Sequence, residues 1–510
     1  MSKYLNGLID ENNFILTENG GVAHKTTKSD LLDMFAMGAA MRNRSDEDVL
    51  LMFRKAYEEN PEYALKCLFY IRDIRGGQGE RRFFRLCIKD LADNHPAAMR
   101  RNIQNIPEFG RWDDLYELVH TPVEQDMWNF MRKQLALDVQ SKTPSLLAKW
   151  MKSENTSSYD SKKLGRATRI AMKMTARQYR KTLSILRERI NVLERLMSAG
   201  QWDKIEFDKI PSKAGVIYRN AFARHDIERI MANDSIQSYE NFIKDKSTKV
   251  NAKDLYPYEI VEKAINLTKY KGFWNEEDPD KKIDSLERKV INKYWDNYLS
   301  TLKDFKFNGI AVVDTSASML GTPMDVAISL GICCAKKCKG PFKDHYVSFS
   351  SRPQLIKVEG IDFVDEVRKI YKTNLCENTN IKATFDMLLD TAIKSGCTQE
   401  DLPENIIIIS DMEFDYAVSL RSLHETQISM KTIPTVMEDI EKEWNRHGYQ
   451  IPNLIFWNVD ARQANIPMLG NRVSFVSGMS PSIYQTIVSN KSGYDLMMEI
   501  LNSKRYESIK

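Results

Sequence analysis

The residues best equipped for chemistry are Asp314-Thr315-Ser316-Ala317-Ser318, at the end of the apolar run 309–313. Such a run reads as a buried strand, and it delivers one carboxylate and two hydroxyls to a strand tip. Hard oxygen donors of this kind suit Mg²⁺, or Mn²⁺, better than any softer ion. A second apolar run, 406–409, leads into Ser410-Asp411 and then Met412-Glu413-Phe414-Asp415, while Asn378-Thr379 precedes a helical stretch between the two. Asp314, Ser316, Ser318, Thr379 and Asp411 thus offer oxygens from separate loops, and waters with a partner's carboxylate would complete an octahedron. Asp415 is the substitute for Asp411; the alternative to a metal is a set of polar loops that cap helices. No general base stands beside the serines, so hydrolysis fits poorly.

Elements able to hold these donors together follow from the hydrophobic rhythm. Beyond about residue 305, strands are expected at 309–314, 345–350, 405–411, 453–459 and 472–476. Helices are expected between them at 323–337, 381–395 and 433–447. Unbroken Ile/Val runs mean strands covered on both faces, hence a doubly wound, mostly parallel, Rossmann-type α/β sheet whose ligands gather beyond the carboxyl ends of strands. The first part reads as helix after helix, at 30–42, 46–59, 61–72, 79–94 and 112–120, with apolar residues three and four apart. Ser45-x-x-Asp48 and Thr175-x-x-Gln178 resemble capping boxes. Short helices on short polar turns point to an α-helical repeat array, with 152–163 as an exposed loop. The expected division is a helical domain at 1–304 and an α/β domain at 305–510.

With 510 residues the chain exceeds what one core normally supports, and its net charge of +4 does not mark a nucleic-acid binder by itself. No run of eighteen apolar residues predicts a membrane span, and the first residues lack the apolar core of a secretion signal. Seven scattered cysteines predict a reducing compartment, the cytoplasm. Cys333, Cys334 and Cys338 lie in an apolar helical stretch with no fourth zinc ligand, so they read as core.

Local charge is more telling. Lys162, Lys163, Arg166, Arg169, Lys173, Arg177, Arg180, Lys181, Arg187 and Arg189 crowd 162–189 against Glu188. Arg166, Arg169, Lys173, Arg177, Arg180 and Lys181 recur at steps of three and four. If helix runs through them, most fall on one side, with Ile170, Met174 and Leu183 inward, and the box at Thr175 suggests two helices meeting there and a bend in the stripe. Such a face would track phosphates; the alternative is a solvated basic face. Arg75, Arg81 and Arg82 are secondary candidates. Gly76-Gly77-x-Gly79 follows a helix and lacks Gly-Lys-Ser/Thr, so it is no phosphate loop; Gly76 would end one helix and Gly79 open the next. Gly110-Arg-Trp-Asp-Asp114 looks like an interhelix turn with Trp112 buried, and Gly200-Gln-Trp-Asp203 repeats it.

Two resemblances join these features. Asp-x-Ser-x-Ser followed by Thr and Asp is similar to the metal-ion-dependent adhesion site of von Willebrand factor A domains. Arg72-Asp-Ile-Arg-Gly-Gly-x-Gly-Glu-Arg81, Gly110-Arg-Trp-Asp-Asp114 and the stretch 249–261 resemble the TROVE module of Ro ribonucleoproteins, a ring of HEAT-like helices fused to an A domain. Over nearly its whole length the chain resembles a relative of that group carrying Ser-Asp-Met-Glu-Phe-Asp, here 410–415. The resemblance implies a non-enzymatic ribonucleoprotein that binds noncoding, structured or single-stranded RNA, with Mg²⁺ in the A domain for structure or for docking a protein partner's acidic residue. Its rivals are a metal-dependent protein-interaction scaffold without RNA and, third, a nuclease.

Overall fold

Local signals place many helices where the pattern expects them. Ser45 Oγ accepts from Asp48 N at 3.1 Å and opens the helix Asp46–Glu59. Asn60 caps Pro61–Arg72 with proline in its first turn, where a missing N–H costs nothing. Thr175 and Gln178 form a reciprocal box at Ala176–Arg189. The structure, a computed structural model, describes residues 12–233, 235–253, 255–268, 285–302, 308–349, 353–372, 380–415, 435–480, 483–484 and 491–510.

Several expectations change. The helix foreseen at 30–42 stops at Met37 and continues as a 3-10 turn, Gly38–Asn43. The one foreseen from Gly79 begins at Arg82, and 112–120 holds a 3-10 helix, Trp112–Leu118, whose Trp112 is half-buried on Phe130. The loop at 152–163 becomes helix at Tyr159–Ala171, started by Ser158. A short antiparallel hairpin, β1 (Phe14–Leu16) and β2 (Val22–His24), precedes the helices; three-residue strands are too short to show alternation.

The second part is a six-stranded sheet of β3 (Gly309–Asp314), β4 (His345–Phe349), β5 (Gln354–Lys357), β6 (Asn405–Ser410), β7 (Asn453–Asn458) and β8 (Val473–Ser477). Its order is β5-β4-β3-β6-β7-β8, parallel except for the edge strand β5, which the sequence did not betray. β3 and β6 are buried along their whole length, as apolar runs covered on both faces must be. Chain connections leave β3 toward β4 on one side and return to β6 on the other, so the β3–β6 junction is the switch point. Helix Thr322–Lys337 carries Cys333 and Cys334 into the core, with Cys338 buried just after it.

The two parts share one apolar core. Gln78 reaches Ser477 of β8, Ala461 N donates to Ala40 O, and helices Pro257–Thr268 and Ser285–Thr301 pack on Phe363–Lys372. There Arg288 pairs with Asp362 at 2.7 Å and Trp295 stacks on Phe363. The final residues return to the helices, where Arg505 and Tyr506 bind the buried Asp73 carboxylate. Among the described residues no helix is long and apolar enough to cross a membrane.

Candidate metal centre and basic cavity

β3 and β6 run parallel in register, Val313 opposite Ile409, so Asp314 and Asp411 leave the sheet at one crest. Both carboxylates are buried. Asp314 Oδ1 accepts from Ser316 N at 2.9 Å and Oδ2 from Ser410 Oγ at 2.6 Å. Ser316 and Ser318 hydroxyls lie 3.0 Å apart. Asp411 Oδ1 accepts from Glu413 N at 3.1 Å, whereas its Oδ2 is buried with no hydrogen-bond donor. Thr379 lies outside the described residues; Thr384, nearby in helix Ile381–Ser395, is buried with an unpartnered hydroxyl. Asp415 pairs with Gly20 of the hairpin loop, away from the Asp314 carboxylate's hydrogen bonds.

Electrostatics mark this crest as short of positive charge. Burial, and then Asp411, push the Asp314 carboxyl up to about 7. Burial likewise raises Asp411, Glu413 (to about 7) and Asp460. Among the described residues no three His, Cys, Asp or Glu side chains cluster to hold a metal. The donor set instead combines two facing carboxylates with serine hydroxyls, a chemistry that fits one hard divalent ion, and the orphaned Asp411 oxygen is the observation that supports the fit. Ser410 was not foreseen as a partner of Asp314, nor was Arg462, whose Nε stands 3.7 Å from Asp411. Both sit at carboxyl ends of strands, so the switch-point rule applied to β6 and β7 would have found them.

The basic residues gather elsewhere. A cavity of about 960 Å³ lies between Arg82–Asn94 and Pro257–Thr268, lined by Arg42, Arg72, Arg75, Arg81, Arg82, Arg85, Lys89, Arg111, Lys213 and Lys253, with Tyr256, Tyr258 and two glutamates. Arg111 and Lys213 also line a neighbouring cavity of about 900 Å³ that Arg180 faces. Most of these cations are already matched. Arg72 is 2% exposed and shares the fully buried Asp114 with Arg85, at 2.8 and 2.7 Å. Burial opposes the charge on Asp114, yet Arg72 and Arg85 together hold its carboxyl below the usual range. A side chain at Gly110 would overlap both Asp114 and Arg72, which is why glycine opens that turn. Arg42 pairs with Glu80, and Arg111 pairs with Asp113 and covers the Trp150 ring.

Arg81 differs. It makes neither ion pair nor side-chain hydrogen bond to any described residue, and burial, then Arg111, Arg72 and Arg85, push its pKa down. Of the other secondary candidates, Arg75 donates to Glu108 O, and Arg82 is spent on Asp46 and two carbonyls. The expected basic stripe is divided. Tyr159–Ala171 ends before Lys173, which stands at φ 56°, and the next helix starts after Thr175. Arg166, Lys173, Arg177, Arg180 and Lys181 are exposed, but Arg169 pairs with Glu154 at 2.8 Å. Ile170, expected inward, is 59% exposed, because the break rotates the helix away from the assumed continuous face. Leu183 is buried and Met174 packs on the core as expected. Arg187 holds the carbonyls of Ala148 and Met151 instead of facing outward. Tyr256, Tyr258, Lys213 and Lys253 were not foreseen, since nothing local ties them to the arginines more than 100 residues before them.

Comparison with known proteins finds two family matches. The domain of unknown function DUF2828 matches residues 17–164 and 138–306, and the domain of unknown function DUF7788 matches residues 308–507. An uncharacterized protein of Acanthamoeba polyphaga mimivirus is 28% identical over 520 residues, 94% of this chain and 85% of that protein. The crystal structure of the Deinococcus radiodurans Ro (RSR) protein aligns with 93% of this chain and 99% of its own, at 12% identity and a TM-score of 0.42, too low to carry fold or function across.

Proposed function

Because the chain belongs to the DUF2828 family, whose description names no activity, we propose from its geometry that it is a non-enzymatic RNA-binding protein with a divalent-ion centre in its α/β part. The observation that carries the RNA half is Arg81, an exposed guanidinium on the cavity lining beside Arg72, Arg85 and Arg111, with neither an ion pair nor a side-chain hydrogen bond to any described residue. An unmatched cation so placed is stabilised by a phosphate entering from outside. Tyr256 and Tyr258, partly buried on the same wall with ring centroids 5.9 Å apart, add aromatic surface beside these cations, with Lys213 over the Tyr256 ring, and an unpaired base would stack against what they leave exposed. The exposed Arg166, Lys173, Arg177, Arg180 and Lys181 extend the positive surface, whereas Arg169 and Arg82 serve the fold. This agrees with what the sequence resemblance to Ro ribonucleoproteins implies.

At the crest, Asp314, Ser316, Ser318 and Asp411 would hold Mg²⁺ or Mn²⁺, with Thr379 as the further hydroxyl. A bound ion would neutralise the two carboxylates, lock the β3 and β6 loops together and leave a position for an acidic group from a protein partner. Asp314 and Asp411 keep the donor pair rigid through Ser410 and the Glu413 amide. The cytoplasm is the proposed location. The rival, a scaffold that captures protein through the ion, draws support from this same crest.

The deciding experiment measures binding of single-stranded and structured RNA against salt, with Arg81→Glu and Asp314→Ala. RNA affinity should fall steeply with salt and drop by about tenfold or more in Arg81→Glu, while Asp314→Ala removes Mg²⁺ binding without changing RNA affinity. Salt-insensitive or absent RNA binding, with protein capture lost on chelation, would favour the scaffold. Ion-dependent cleavage would make it a nuclease.

A further inference from the structure

The mouth of the carboxylate crest is covered by the chain itself. The hairpin loop between β1 and β2 lies across the segment after β6: Thr17 Oγ1 donates to Phe414 O at 2.7 Å, Glu18 N to Glu413 Oε2 at 2.7 Å, and Asn19 Nδ2 to Glu413 O. Gly21 lies so close to the Phe414 carbonyl that a Cβ would overlap it. From the opposite side comes Arg462, in the loop after β7. Its guanidinium donates to Ser318 O, stands 3.7 Å from Asp411 Oδ2 and 3.8 Å from Asp460, and pairs with Glu18 Oε2 at 3.2 Å. The loop backbone is fixed by bonds from Arg44 to Arg462 O and from Ala461 N to Ala40 O, so displacing the side chain does not require its root to move.

One cation therefore spans four groups: the hairpin's Glu18 carboxylate, the carbonyl of Ser318, Asp460, and the Asp411 oxygen that lacks a hydrogen-bond donor. An ion bound to that oxygen and a guanidinium a few ångströms from it repel each other directly, because both are positive in a poorly solvated crest. We propose that Arg462 is the centre's built-in competitor for the divalent ion: it covers Asp411 while the ion is absent, and ion binding displaces it, breaks its pair with Glu18 and loosens the hairpin tip. The inference rests on the metal reading above and adds to it an exchange of one cation for another. Because coupling is reciprocal, whatever Arg462 gains from Asp411 is subtracted from ion affinity, and the ion's gain is subtracted from hairpin docking.

The test titrates Mg²⁺ into wild type, Arg462→Gln, Arg462→Lys and Asp314→Ala by calorimetry, and follows amide hydrogen exchange in residues 17–21. Arg462→Gln should bind Mg²⁺ about tenfold more tightly, within the usual range of coupling between sites. Arg462→Lys, which keeps the charge, should fall between that variant and wild type. In wild type, saturating Mg²⁺ should speed exchange at the Gly20 and Gly21 amides; in Arg462→Gln they should exchange quickly from the start. Unchanged or weaker binding in Arg462→Gln, or exchange in wild type that ignores Mg²⁺, overturns the competitor while leaving the centre intact. Absence of Mg²⁺ binding in every protein, or binding that survives Asp314→Ala, overturns the centre itself and the competitor with it.

Discussion

The crest of the sheet and the cavity among the helices handle buried charge in opposite ways. At the crest, Asp314, Asp411, Glu413 and Asp460 crowd together with Arg462 at the edge, and burial raises all four carboxyls. In the cavity, arginines crowd together but nearly every one meets a carboxylate, Arg72 and Arg85 sharing Asp114 and Arg42 at Glu80. A matched pair is architecture, whereas an unmatched charge is an opening for something that is not protein. By that criterion the crest wants a cation, and among the cavity's arginines Arg81 is where an anion is wanted, no described residue pairing with it.

The contrast can be broken most forcefully at its matched pair. Arg72→Ala leaves Asp114 buried beside Arg85 alone and should cost about 3–5 kcal/mol in chemical denaturation. A loss below about 1 kcal/mol would mean that Arg85 by itself suffices, and the matched-pair account of the cavity would fall. The crest supplies the next largest effect. In chelated protein the Asp314 carboxyl titrates higher folded than unfolded, so the folded state keeps its proton longer. The stability this adds is complete below the ordinary carboxylate range, near pH about 4, and is lost as pH rises through about 7. Thermal stability of the ion-free protein should therefore decline over that window, and Asp314→Asn should flatten the decline. An unchanged slope in the variant would remove Asp314 from the charge excess. The smallest effects sharpen the comparison from outside. Arg82→Gln, and Arg177→Gln with Lys181→Gln, should each leave RNA affinity within about threefold of wild type, far less than Arg81→Glu, since a cation outside the cavity or already spent on a carboxylate adds less than an unmatched one on the cavity lining. Equal losses at all three would mean that RNA follows the outer surface and not the cavity.

The crest was the more legible of the two. Strand runs at 309–313 and 406–409 are unbroken and apolar, so their tips, Asp314 and Asp411, could be placed at the same edge before any coordinates. The hairpin could not be foreseen, because its pairs with Phe414 and Glu413 join residues about four hundred apart. The cavity was legible only as motif. Arg72, Gly110 and Asp114 stood out in sequence, but their mutual contact spans 42 residues and Arg505 reaches Asp73 across 432. The stripe at 162–189 failed for a local reason: Lys173 adopts a left-handed backbone, and the turn there ends the periodicity that would have put Ile170 inside.

Hydrophobic period and strand-end chemistry alone determined that this chain carries helices first, a covered parallel sheet second, and hard oxygen donors at the sheet's edge. Those are short-range facts, encoded within a few residues of one another. Which arginine remains without a partner, and which side chain guards Asp411, depended on segments far apart in sequence coming to lie within a few ångströms. Charge compensation is a property of space and not of sequence order, so only the tertiary structure could decide it.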